Sequence, residues 1–304
     1  MIIGAVDVTK IIQPIIHKSY PKYDIAGNKL KYLIKNNINK NKFSKPKDLL
    51  ITTVSTYKKK SLFEKSLDHI GIKDYHVIGK NKTFKKWYNF YKIQWIYEFL
   101  NNYTGNEKYL LFSDARDAII QDDPNKILDI YKSKKCKLLF NGVEYNISHW
   151  ESYLKNHIQK YGFIDKKIND YFKNWKPITQ CCKRKNVLLN QIFDYAYKMS
   201  DNNTVFLNSG GYIGEVEYIK YVFGYILDKI KSTIEMVQNT RIPTNPSTFN
   251  DQAIITHFRC LFPDIKVDTY FEVWWRDTFN ADDKRCWNPP HKPPYKKGKS
   301  LYIV

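Results

Sequence analysis

Three short stretches of this chain place polar groups where apolar elements end. In "KYLLFSDARDAIIQDD" (108–123) an apolar run stops on Asp114 and Asp117, with Arg116 between them. In "FLNSGGYIG" (206–214) Asn208, Ser209, Gly210 and Gly211 interrupt an otherwise apolar run, and in "FNDQAIIT" (249–256) Asp251 and Gln252 open an apolar stretch. Carboxylates at a strand end are the oxygen ligands that Mg²⁺ or Mn²⁺ takes, together with substrate phosphates. Paired glycines let a backbone pass close to a bulky ligand. Blander readings stand beside these: an Asp that caps a turn, an Asp paired with Arg116, and an ordinary turn at 208–211.

The flanking residues say what could position such groups. "DLLITTVST" (48–56), "YHVIG" (75–79), "KYLLFS" (108–113), "CKLLFNG" (136–142) and "DIKVD" (264–268) read as short buried strands, with "SLYIV" (300–304) as a last one. Between them lie helical patterns. "KKSLFEKSLDHIG" stops at Gly71, "NFYKIQWIYEFLNNY" (89–103) is apolar all round, and "PNKILDIYKS" carries Pro124 at its start. Further helices are expected in "EVEYIKYVFGYILDKIKS" and "DQAIITHFRCLF" (251–262). Strands alternating with helices predict an α/β fold with a mostly parallel central sheet and flanking helices. In such sheets ligands bind beyond the carboxyl ends of the strands, where Asp114 and Asp117 are expected.

Residues 1–45, Lys/Asn-rich and ending at Lys45-Pro46, read as an N-terminal extension, and 46–304 as the main domain. Within it the polar stretch 145–205 reads as an elaboration on the sheet's edge and a candidate acceptor side. There is no GxGxxG or Walker loop and no internal repeat. Five cysteines without a CxxC pair indicate neither a disulfide framework nor a zinc site. A formal charge of +20 draws polyanions, yet only six of the 50 basic residues are arginine, so base readout is not indicated and no nucleic acid is expected. No apolar run is long enough to cross a bilayer, and "MIIGAVDVTK" lacks the pattern of a signal peptide; the default expectation is the cytoplasm.

The ordered set of motifs resembles the glycosyltransferase domain of the multifunctional collagen lysyl hydroxylases and related collagen glycosyltransferases. Asp-x-x-Asp, "FLNSGGYIG" and "DQ" carry the likeness, with "LLITTVST", "YKIQW" (91–95), "LLFNGVEY" (138–145) and "KVDTYFEVWW" (266–275) in the same order over roughly 46–304. The resemblance implies a GT-A fold, Mn²⁺, and transfer of a hexose, expected to be glucose, from a UDP-sugar to galactosylhydroxylysine of collagen or a collagen-like protein. The variants to keep are galactosyl transfer to hydroxylysine and a non-catalytic basic protein that binds glycan or polyanion on the same scaffold.

Carried over, Asp114 and Asp117 would hold the metal. Thr56, Lys92, Asp114, Arg116, Asn208, Gly210 and Gly211 would line the donor site, and Asp251 and Glu144 would face the reacting sugar or acceptor. Arg116 stands where the family often has an aromatic, and Asp251 lacks the family's acidic neighbour. The family's hydroxylase portion and its iron ligands are absent from this chain. The family also places a metal-binding His after its last strand. This sequence stops at Val304 where that His is expected, so the expectation is a metal site short of that ligand; the alternatives are His291 of "HKPPYKK" as an in-chain substitute and a complete site of two carboxylates.

Overall fold

The structure is a computed structural model. It describes residues 25–80, 82–84, 87–116, 118–144, 205–239, 251–268, 273 and 302–303. The elements are α1 (Ile25–Lys35), β1 (Leu49–Val54), α2 (Leu62–Ile70), β2 (His76–Ile78), α3 (Tyr91–Asn102), β3 (Tyr109–Ser113) and β4 (Ile119–Ile120). They continue with α4 (Pro124–Ser133), β5 (Leu138–Glu144), β6 (Val205–Glu215), α5 (Val216–Asn239), α6 (Asp251–Phe258), a 3₁₀ turn (Arg259–Leu261), β7 (Ile265–Asp268) and β8 (Tyr302–Ile303).

Six strands form one sheet in the order β2-β1-β3-β6-β5-β7. β1 is parallel to β2 and β3, and β5 is parallel to β7. β6 runs antiparallel to both β3 and β5, so it alone is reversed and the rest share one direction. The fold is therefore α/β with a mostly parallel, mixed sheet and helices on both faces. The segment "FLNSGGYIG" lies inside β6 and is not a plain turn. A second, two-stranded sheet pairs β4 with β8, Ile119 facing Ile303 and Ile120 facing Tyr302.

Period-two alternation explains the layering. Leu50, Leu110, Phe112, Leu138, Phe140 and Tyr212 turn to one face, where α3, α5 and α6 cover them with residues such as Ile96, Phe223 and Ile254. Leu49, Ile51, Leu111, Leu139 and Ile213 turn to the other, under Phe63 and Leu67 of α2 and Ile127 of α4. Because both faces are covered, β3 is a nearly continuous apolar run that turns polar only at its end, while β5 and β6 carry Asn141, Asn208 and Ser209 inside them.

Local signals set the helix limits. Ser61 caps α2 in a full capping box with Glu64, and Asp123 caps α4 ahead of Pro124. α2 ends at Gly71, whose φ is +102°. Residues 25–45 are tied to this end. Leu30 and Leu33 of α1 pack on Ile119. The Asn41 and Phe43 amides donate to the carbonyls of His69 and Ile70 at 2.9 and 3.0 Å. Lys45 pairs with Asp74 and Glu107 at 2.8 and 3.1 Å.

Gly71 is where that junction is most constrained. A Cβ there would lie 2.9 Å from the Asn41 Cα, and the left-handed backbone disfavours any L side chain. Gly71→Ala should lower stability by about 1–2 kcal/mol or more, read as a lower urea midpoint with an unchanged slope.

Candidate functional site

The site lies at the carboxyl edge of the parallel strands. β3 runs buried through Ser113, and the next residue, Asp114, emerges partly exposed. Its amide donates to the Gly210 carbonyl at 2.7 Å, fixing the strand end to β6. There β6 departs from regular pairing. Phe140 faces Tyr212, but the next β5 residue, Asn141, faces Asn208. Ser209, Gly210 and Gly211 thus form a bulge against β5, a device that redirects groups beside functional sites.

Gly210 makes the close approach possible. Its amide donates to Asn208 Oδ1 at 2.6 Å. A Cβ at Gly210 would sit 2.8 Å from that oxygen and 2.9 Å from Asp114 Oδ2. Gly211 pairs with Ser113 across the strands. Gly210 therefore lies between Asn208 and Asp114, with Gly211 beside Ser113.

Two helices bring in the other charges. Lys92 stands in the first turn of α3, and Asp251 is the first residue of α6, where the helix dipole favours an acid. Lys92 Nζ lies 3.0 Å from Asp114 Oδ1 and 2.9 Å from Asp251 Oδ2. The Lys92, Asp251 and Asp114 side chains are 13%, 5% and 28% exposed, so the ammonium is shared in a largely dry space. Burial alone would depress the Lys92 pKa; the two carboxylates outweigh it and hold it well above the ordinary lysine value. Lys92 is thus a fixed cation at neutral pH. One ammonium bridges two carboxylates from different elements.

Asp114 supplies hard oxygen donors of the kind Mg²⁺ or Mn²⁺ takes. Among the described residues no group of three or more His, Cys, Asp or Glu side chains comes close enough to hold a metal. Asp117 and His291 lie outside the described residues, as does the chain from 145 to 204. Glu144 ends β5 facing Val205; its side chain lies outside what is described.

Thr56 and Arg116 stand at the same edge, beyond the ends of the neighbouring strands β1 and β3. Thr56 is half-buried, and Arg116 is exposed, its guanidinium 5.1 Å from the centre of the exposed Tyr57 ring. An Arg over an aromatic face is a cation–π pair that also offers a flat polar surface.

Sequence reasoning missed three buried polar residues here. Tyr212 stacks on Phe112 at 4.8 Å and tilts against Phe140 at 5.1 Å, with its hydroxyl unbonded. Burial raises its pKa, and the nearby charges of Asp251 and Asp114 raise it further. Asn141 is fully buried between Asn208 and Asp268 on the adjacent strands, both amide atoms without a partner. The Ser113 hydroxyl is likewise buried and unbonded. A Tyr at an inward strand position among Phe and Leu was the one signal available for Tyr212.

No protein-family model matches the chain, and no curated protein matches it.

An unpaired hydroxyl in a core costs about 1–3 kcal/mol, so Tyr212→Phe should not weaken the fold. The expected outcome is an equal or higher unfolding midpoint, up to about 1 kcal/mol more stable, by chemical denaturation.

Proposed function

We propose that this chain is a metal-dependent glycosyltransferase of GT-A type that moves a hexose, with glucose as the leading candidate, from a UDP-sugar to an acceptor hydroxyl. The observation that carries the reading is the Asp114–Lys92–Asp251 triad. It draws charges from β3, α3 and α6 to the ligand edge of an α/β sheet, beside a floor kept open by Gly210. The mostly parallel sheet is compatible with a GT-A domain. β8, paired with β4, brings a late segment of the chain near the loop that follows Asp114.

Asp114 and Asp117 would hold a divalent cation, Mn²⁺ by resemblance. Bound there, it would supply Lewis-acid relief of the negative charge that collects on the leaving diphosphate. In the transfer, the bond from the sugar's anomeric carbon to UDP breaks with its electron pair leaving on the diphosphate, a bond to the acceptor oxygen forms, and the acceptor's hydroxyl proton passes to the departing diphosphate. Lys92, protonated and held in place, stabilises phosphate oxygens without reorganising. Asp251, ionised beside Lys92, lies near the positive charge that develops on a hexose ring as its leaving group departs. Thr56, Arg116 and Tyr57 border the nucleotide end, and Asn208 with the Gly210 backbone borders the sugar. Glu144 keeps its proposed place at the sugar or acceptor. The acceptor, galactosylhydroxylysine of a collagen-like chain, rests on the motif resemblance, as does the variant of galactosyl transfer to hydroxylysine.

The charge of +20 favours one other reading, a non-catalytic protein binding polyanion or glycan. Metal-dependent hydrolysis of UDP-sugars without acceptor separates the two, because a pure binder shows none. A panel of UDP-sugars, with and without a galactosylhydroxylysine peptide, then identifies donor and acceptor.

Asp114→Asn and Asp117→Asn should each abolish Mn²⁺-dependent turnover. Asp114→Asn should change stability by no more than about 1 kcal/mol, since Lys92 keeps Asp251 as a partner. Full turnover by either variant in chelator-treated buffer would remove the metal assignment.

Asp251→Ala should lower kcat by about 100-fold or more while UDP affinity changes little, the pattern of an interaction made mainly in the transition state. If UDP affinity falls as far as the rate, Asp251 is a binding residue and its proposed role is wrong.

A further inference from the structure

Tyr57 lies just past "LLITTVST" and belongs to none of the motifs, yet among the described residues it is the exposed aromatic ring at the ligand edge. It is 51% exposed; the other exposed large apolar side chains, Tyr32, Ile34 and Tyr221, lie on α1 and α5. A single exposed ring is ordinary on a protein surface. Its setting is not. The Tyr57 amide donates to Ser55 Oγ at 3.4 Å, and the Ser55 amide to the Ile78 carbonyl at 2.9 Å, so the turn leaving β1 is tied to β2. Arg116 is anchored in the same way, because the Ala115 carbonyl before it accepts the Phe63 amide at 3.2 Å. Two exposed side chains thus stand on fixed backbone, the arrangement that suits recognition.

The partner of the ring is also distinctive. Every other cation that the described residues place over an aromatic ring is a lysine, a compact point charge. Arg116, 5.1 Å from the Tyr57 ring centre, is flat and stacks on planar groups. The pair is offset from the Lys92 bridge. Arg116 follows Asp114 by two residues, and Tyr57 follows β1, the strand beside β3 on the side away from β6. A nucleoside diphosphate has two ends of matching character. Its phosphates are charged and drawn to the ammonium, while its base is planar and neutral and gains most from stacking. A bare diphosphate gains nothing from a tyrosine ring.

We propose that Tyr57 and Arg116 together form the platform on which the base of a nucleoside diphosphate stacks, and that this pair makes the site prefer a nucleotide to a bare diphosphate. The proposal rests on the transferase reading for the diphosphate end of the ligand. It does not depend on which groups hold a metal. Arg116 acts here by its plane and not by its charge alone, and Tyr57, from a different strand end, supplies the aromatic face.

The test is a calorimetric titration of UDP and of inorganic pyrophosphate into the full chain, both in the presence of Mn²⁺. Wild type should bind UDP at least about tenfold more tightly than pyrophosphate. Tyr57→Ala should weaken UDP about tenfold and leave pyrophosphate within about twofold. Arg116→Lys, which keeps the charge and loses the plane, should do the same. Tyr57→Phe keeps the ring and should hold UDP within about twofold of wild type. Both side chains are exposed, so the variants should fold, and an unchanged urea midpoint verifies that they do. The platform is overturned if wild type binds UDP and either Tyr57→Ala or Arg116→Lys binds it equally well. It is overturned too if these variants weaken pyrophosphate as much as UDP, which would make the pair a phosphate contact. If wild type does not bind UDP at all, the transferase reading falls, and the platform with it.

Discussion

One ammonium shared by two carboxylates ties the ligand edge of this fold together. Lys92 joins Asp114, at the end of the sheet's third strand, to Asp251, at the start of α6, and does so from α3. Two consecutive elements, α3 and β3, and a helix far along the chain, α6, thus converge on one charge. A largely buried charge is tolerated only with partners, so each of these residues constrains the other two. Replacing Lys92 alone would leave Asp251, 5% exposed, as an uncompensated charge in the core. The ordering of the edge and its chemical potential come from the same contact.

The backbone gives way to let that contact form. Among the described strands of the central sheet β6 is the one reversed, and it lies between β3 and β5, where it must serve both. It cannot keep regular register with β5 and also bring Gly210 under Asp114. The bulge at Ser209–Gly211 resolves the conflict. It leaves Asn141 with both amide atoms unpaired, a cost of the kind that accumulates at sites and seldom elsewhere. Two glycines in a strand are poor for the sheet but suit a place where a carboxylate and an amide oxygen both crowd the same Cα.

The layering was legible because it depends on local periodicity. Leu49-Leu50-Ile51 and Leu138-Leu139-Phe140 announce strands buried on both faces, and Gly71 and Pro124 mark helix ends by their own stereochemistry. The reversal of β6 was not legible, since strand direction is decided by pairing partners and not by any residue in "FLNSGGYIG". The candidate positions Lys92, Asp114, Asn208, Gly210 and Asp251 came from motif order, and the structure brings these five together. No spacing in the sequence, however, shows that Lys92 touches both carboxylates. Tyr212 and Asn141 escaped for a different reason. A polar residue in an apolar strand looks like tolerance until the absence of a partner is visible, and that is a property of three dimensions.

The chain's strong positive charge and the local negative excess at its site act on different scales. Charges on the surface are screened beyond about 8–10 Å, so they can concentrate an anionic ligand near the molecule but cannot discriminate among anions at the site. Discrimination has to come from groups held out of water, where one unbalanced charge weighs far more. Among the described residues those groups are the Lys92 ammonium and the two carboxylates it joins. A site built only to bind polyanions would have gained from more cations and lost from Asp251, which sits among core residues and opposes any lone anion. Keeping that carboxylate buried makes physical sense where the ligand arrives with its own cation, or where positive charge appears during a reaction. The metal-bound nucleotide sugar proposed above is a ligand of that kind.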